Sequence, residues 1–241
     1  MPHGFVLLDK PSGIGSTLAL SRVRRALGGA KAGHLGTLDP LASGLLVIAV
    51  GDGCKRIKEC NTTDKTYAFT VRFGVETATD DLEGLVTRTC PIVPNHADIN
   101  AVTKDFSGKT IMQVPPLYSA VKTGGIAAHA RARRGEIVTL EARPRTIYTL
   151  ESLSYHPPYA EFQAQCSSGT YVRSLARDMA AALGTVAITT RIRRLAVGAL
   201  GVDKAISFSE VLRGGVTLWD SDAVIDLLAG GDKKGNLPGN P

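Results

Sequence analysis

From Lys65 to Phe73 the chain alternates, with Tyr67, Phe69, Val71 and Phe73 on one face. Period two belongs to a pleated strand with one side buried, so this segment forces a sheet on whatever fold the chain adopts. A different period governs the stretch after Tyr171. There Val172, Leu175, Ala176, Met179, Ala182 and Leu183 make the apolar stripe of a helix that stops at Gly184. A second helix is predicted after Ser16, which can cap it; it carries Leu20, Val23 and Leu27 and ends at Gly28-Gly29. A third runs from Asp98 to Phe106. Apolar or alternating runs predict strands at Phe5 to Leu8, Leu45 to Val50, Lys109 to Val114, Arg145 to Leu153, Tyr159 to Cys166 and Ile188 to Val197. Helices and strands are interspersed without strict βαβ alternation, which predicts an α+β fold with a mixed sheet. Ser209 to Leu212 and Asp220 to Leu228 read as short helices, and Gly230 to Pro241 as a disordered tail.

Charge narrows the range of partners. The chain of 241 residues has 28 basic against 22 acidic residues, a formal charge of +6. The basic residues gather at Arg22-Arg24-Arg25, Lys55-Arg56-Lys58, Arg131-Arg133-Arg134, Arg143-Arg145 and Arg191-Arg193-Arg194. Five such clusters favour a polyanion, because phosphate contacts supply most non-specific nucleic-acid affinity. None backs a strongly apolar helix face, so a membrane surface is the weaker reading. No run of about 18 apolar residues predicts a transmembrane helix. The N-terminus lacks the charged region and cleavage site of a secretory signal, which points to the cytoplasm. Cys54, Cys60, Cys90 and Cys166 show no C-x-x-C spacing and no histidine at ligand distance. They read as structural thiols, and no metal site is expected.

Chemistry is expected in the stretch from Gly33 to Gly44, within a loop read from Lys31 to Gly44 between a helix and a buried strand. It holds Gly33-His34-Leu35-Gly36-Thr37-Leu38-Asp39-Pro40. Proline after Asp39 biases that residue to an extended backbone, fixing a carboxylate on a structured loop. On residue type alone, Asp39 reads first as a turn-former or cap. Arg173 lies beside the buried position Val172 but off the core stripe. It either reaches solvent or pairs with a carboxylate in a cleft. The segment Thr123 to Gly135, rich in Ala, Gly and Arg, reads as a protruding, mobile element.

The ordered motifs resemble those of TruB-type pseudouridine synthases over residues 5 to 198. Leu8-Asp9-Lys10-Pro11-Ser12-Gly13 is similar to the family's first motif, Gly33 to Gly44 to its catalytic motif, and Lys65-Thr66-Tyr67 to the motif of its active-site tyrosine. Gly74 to Gly84 resembles its acidic turn, and Pro115 to Lys122 the approach to its thumb. Ser168-Gly169-Thr170-Tyr171-Val172-Arg173-Ser174 resembles its arginine motif, and Arg193-Arg194-Leu195 its closing strand.

The resemblance implies a largely antiparallel central sheet with flanking helices and a thumb insertion at about 123–135 in a catalytic domain of residues 1–200. It implies conversion of the uridine at position 55 in the T-loop of tRNA to pseudouridine, without metal or cofactor, by a cytoplasmic monomer needing no protein partner. Asp39 would be the catalytic carboxylate, Arg173 its partner, and Tyr67 the ring stacked on uracil, with a further part in proton transfer. His34 would fill the place of the flipped base. Tyr171 and Ile192 would line the pocket, and Lys10 would support the catalytic loop. The thumb residues Arg131, Arg133 and Arg134 would grip RNA. Leu35 and His129 depart from the family pattern, and residues 201–241 show too little strand periodicity for the family's C-terminal PUA domain. The rival reading is a tRNA-binding or folding protein whose catalysis is secondary or lost.

Overall fold

A computed structural model of the chain describes residues 2–60 and 63–229. Its elements begin with β1 (Gly4–Lys10), α1 (Ser16–Ala26), β2 (Ala32–Leu35), β3 (Ser43–Val50), a 3-10 helix (Gly51–Cys60) and β4 (Lys65–Phe73). Then come β5 (Val75–Thr77), β6 (Val86–Thr89), α2 (His96–Phe106), β7 (Lys109–Gln113), β8 (Lys122–Thr123), β9 (Ile126–Ala127) and α3 (Ala128–Ala132). The remainder holds β10 (Arg143–His156), β11 (Tyr159–Cys166), α4 (Val172–Ala182), β12 (Ala187–Val197), β13 (Leu200–Gly201), β14 (Ile206–Ser207), α5 (Phe208–Leu212) and α6 (Ser221–Leu228). The tail from Gly230 to Pro241 lies outside the described residues.

The chain divides into two compact units, Met1–Thr63 with Leu195–Pro241, and Asp64–Arg194. In the first, β1 pairs antiparallel with β3 from Gly4↔Val50 to Lys10↔Gly44 and parallel with β14. The register brings the end of β1 and the start of β3 together, so the turn after Lys10 and the loop before Ser43 lie at the same end. β3 reads SGLLVIAV and is buried on both faces, as a continuous apolar run should be. Phe5, Leu7, Leu45, Val47 and Ala49 form the core with Val197, Leu200, Val224 and Leu228. α1 turns Ala19 and Val23 inward and leaves Arg22, Arg24 and Arg25 exposed.

In the second unit β4, β11, β10 and β7 form consecutive antiparallel pairs, with β12 beside β4. β4 and β11 bury alternate residues, and the rings of Phe69 and Phe162 stack across the pair at 5.5 Å. α2 opens with a capping box of Asn95 and Asp98 and buries Ile99 and Val102. α4 buries Val172, Leu175, Ala176 and Met179.

The class is α+β with mixed, mostly antiparallel pairing. Three expectations need correction. Ala32–Leu35, read as loop, is β2, paired with β3 and carrying His34 opposite Ile48. Ala182 is exposed, because the stripe of α4 passes through Ala180 instead. Ser16 does not cap α1, whose N-cap is Gly15. No helix among the described residues is long and apolar enough to cross a membrane.

Candidate active site

The first unit places Asp39 on a pinned loop. The hydroxyl of Ser16, freed from capping and buried, donates to Leu38 O at 2.8 Å and accepts from Leu38 N at 2.8 Å. Gly13 N donates to Pro40 O at 2.8 Å, and the Ser12 hydroxyl to Leu41 O at 2.7 Å. Leu38 and Ala42 are buried on either side, while Asp39 itself is half-buried. The residues on both sides of Asp39 are thus fixed from outside the loop. Lys10 is fully buried, and its ammonium donates to Pro11 O at 2.9 Å and Ile14 O at 2.6 Å. It therefore shapes the turn that does the pinning. His34 is half-buried on β2.

The second unit holds the other predicted residues. Tyr67 is buried on β4 opposite Ala164 of β11. Lys65, two residues earlier on the same face, donates to the Ser168 hydroxyl at 3.1 Å. Burial, with Arg194 nearby, pushes its ammonium down to about 8. Ile192 is buried on β12.

Tyr171 is the N-cap of α4. Before it, Gly169 has φ +80° and lies under the Arg145 guanidinium, whose nearest nitrogen would stand 3.0 Å from an added Cβ. Arg145 Nε donates to Gly169 O at 2.9 Å. A side chain at this position would strain the left-handed backbone and require the Arg145 guanidinium to give way.

Arg173 does not reach solvent; it is 3% exposed. Its guanidinium donates to Thr79 O at 2.9 Å and Tyr118 O at 3.0 Å, and lies 3.6 Å from Asp81 Oδ2. Arg177, one turn later, pairs with Asp80 at 3.0 Å and donates to Val114 O at 2.7 Å. Two arginines four apart on α4 thus meet two consecutive aspartates of the turn after β5. Asp81 also accepts from Glu83 N at 2.9 Å and from the Thr79 hydroxyl. Asp80 has φ +59°, a conformation aspartate tolerates better than most residues. Burial raises its carboxyl above the ordinary range, and Arg177 and Arg173 oppose that shift.

The segment expected to be a thumb is a short hairpin of β8 and β9 followed by α3, with Ala128 fully buried. Arg131 pairs with Glu136 at 2.6 Å, and Arg134 lies 3.6 Å from the same carboxylate. Arg133 is exposed and has no ion pair among the described residues.

Residue-type reasoning missed the pinning by Ser12, Gly13 and Ser16, and the parts of Asp80, Asp81, Arg145 and Arg177. The i, i+4 spacing of Arg173 and Arg177 set against the Asp80-Asp81 pair is a signal that reveals part of this network.

The chain is similar to known proteins over most of its length. The family model described as "TruB family pseudouridylate synthase (N terminal domain)" matches residues 24–172. A tRNA pseudouridine synthase B of Chelativorans sp. (strain BNC1) is 49% identical over 195 residues, covering 80% of this chain and 62% of that protein. The tRNA pseudouridine synthase B of Paracoccus denitrificans (strain Pd 1222) is 43% identical over 211 residues, covering 88% and 70%. Among solved structures, a chain of a Cbf5-Nop10-Gar1 complex superposes with a TM-score of 0.69 at 25% identity, covering 95% of this chain and 62% of that one. The chain therefore spans less than two thirds of the length of the Chelativorans protein.

Proposed function

Since the chain belongs to the TruB family of pseudouridylate synthases, we propose that it isomerises a tRNA uridine, at position 55 of the T-loop, to pseudouridine. The observation that carries this reading is Asp39: a half-buried carboxylate whose loop is pinned on one side by Ser16 of α1 and on the other by Ser12 and Gly13 of the turn following β1. The reaction breaks the bond from C1′ of the sugar to N1 and forms one from C1′ to C5, with the C5 proton lost and N1 protonated. No electrons enter or leave. One carboxylate suffices, whether it attacks the substrate or takes a sugar proton. The uracil must first leave its stack, and Tyr67 offers it a ring, with Tyr171 and Ile192 as further pocket wall. His34 takes the vacated place in the RNA, Lys10 holds the turn that supports Asp39, and Arg173 keeps the carboxylate ionised and oriented.

We assign catalysis to residues 1–200, acting as a monomer in the cytoplasm without metal. Incubation with an unmodified tRNA transcript, and separately with an isolated T-stem-loop, is expected to yield pseudouridine at position 55 in both. Chemical mapping that finds tight binding without modification would favour an RNA-folding protein instead. Modification confined to the anticodon arm would refute the site.

The thumb makes a second expectation. Replacing Arg131, Arg133 and Arg134 by Ala should weaken RNA binding and lower the slope of log K against log salt by about 1–2. The fall is smaller than three full contacts would give because Glu136 already engages two of these arginines. Glu136→Gln should therefore tighten binding. An unchanged slope in the triple variant, measured by salt titration, removes this segment from the RNA interface.

A further inference from the structure

We propose that Gln113 is a positioning residue for the reaction, its carboxamide fixing the backbone of Tyr171 and so the start of the helix that carries Arg173. The inference rests on the assignment of Tyr171 and Arg173 to the site. Gln113 closes β7 and is 1% exposed. Its Oε1 accepts from Tyr171 N at 2.8 Å, and its Nε2 donates to Tyr171 O at 3.2 Å. A donor and an acceptor offered to both backbone groups of one residue are what a neighbouring strand supplies in an antiparallel pair. The main chain cannot continue that pairing here, because Val114 is followed by Pro115-Pro116, which lack N–H groups. A side chain stands in for the missing strand.

The position of this clamp gives it leverage. Tyr171 is the N-cap of α4 and makes no side-chain cap bond, and its carbonyl also accepts from Leu175 N at 2.9 Å. The entry of α4 is thus set from outside the helix. The segment after Gln113 continues the same registration: Val114 O accepts from the Ser174 hydroxyl at 2.8 Å and from Arg177, and Tyr118 O from Arg173. Gln113 is the first residue of this seam and the one that grips the main chain of α4's cap. Its amide must present one donor and one acceptor in a fixed orientation, which an apolar side chain of the same shape lacks.

Two variants of the full chain test this on an unmodified T-stem-loop. In Gln113→Met the Tyr171 amide should exchange with solvent at least about tenfold faster, and kcat should fall by about 10- to 100-fold at nearly unchanged KM and RNA affinity. In Gln113→Glu the ionised carboxylate still accepts from Tyr171 N but faces Tyr171 O with a second acceptor. Protonation restores a donor, so the ratio of variant to wild-type kcat should rise as pH falls through the introduced group's pKa. A flat ratio overturns the proposal. So does wild-type kcat in Gln113→Met, a loss that only tracks the unfolded fraction in thermal melts, or failure of both variants to fold. A wild-type chain that makes no pseudouridine would refute the function itself, whereas the exchange rate of the Tyr171 amide reads the clamp without any turnover.

Discussion

Asp39→Asn is expected to lower pseudouridine formation by at least about 10³-fold, while the folded chain and its affinity for RNA persist. The substitution keeps size and shape and removes the negative charge together with the nucleophilic oxygen. The loop should hold its course. Its fastenings include Ser16 on Leu38, Gly13 on Pro40, Ser12 on Leu41, and the bond from Ala42 N to the Asp39 backbone carbonyl. None of these uses the Asp39 carboxylate, so thermal melts should move little. Affinity should hold or rise slightly, since a charge facing a polyanion has been removed. If Asp39 served only to form a turn, Asn would replace it well. Turnover near the wild-type rate would therefore end its assignment as the catalytic group.

Arg173→Ala should abolish turnover with a different signature. Arg173 and Asp81 are both almost wholly buried, at 3% and 2% exposure. Deleting the arginine leaves the Asp81 carboxylate without its charged partner, and Thr79 O and Tyr118 O without a donor. Breaking one side of a buried pair typically costs about 3–5 kcal/mol. A loss of that order is expected in denaturant titration, along with at least about a 10²-fold drop in turnover. Combining Arg173→Met with Asp81→Asn removes both charges and should recover much of the stability, because the uncompensated carboxylate is gone. Turnover should stay low. A double variant that regains activity along with stability would mean that Arg173 matters only for the fold.

The parts of this molecule that announce themselves in sequence are those whose burial follows a local period. β4 and β11 alternate as their sequences do, and the continuous apolar run of β3 is buried throughout. β2 was invisible because four residues, AGHL, are too few to display a period and lie in a glycine-rich stretch. The hairpin of β5 and β6 was missed for another reason: VTRT in β6 is exposed at every position, so no apolar face marks it. The site shows the same limit. Asp39, Tyr67 and Tyr171 stand in motifs that a resemblance identifies. The burial of Arg173 depends on Asp81, an ion-pair partner 92 residues earlier in the chain, and helical period alone puts it on a face nearer solvent. Gln113 and Ser16 belong to the same class, since nothing nearby in sequence tells what a polar side chain will bind.

That Leu38 and Tyr171 are held by single side chains rather than by ladders bears on how such a molecule varies through descent. Moving a strand requires changing its pairing along a whole edge, but each of these fastenings is specified by one codon. A mutation at Ser16 or Gln113 shifts the posture of one loop or one helix end while the sheets keep their registers. Lineages can therefore adjust the reacting geometry in small, separate steps, on a scaffold that selection for folding keeps constant.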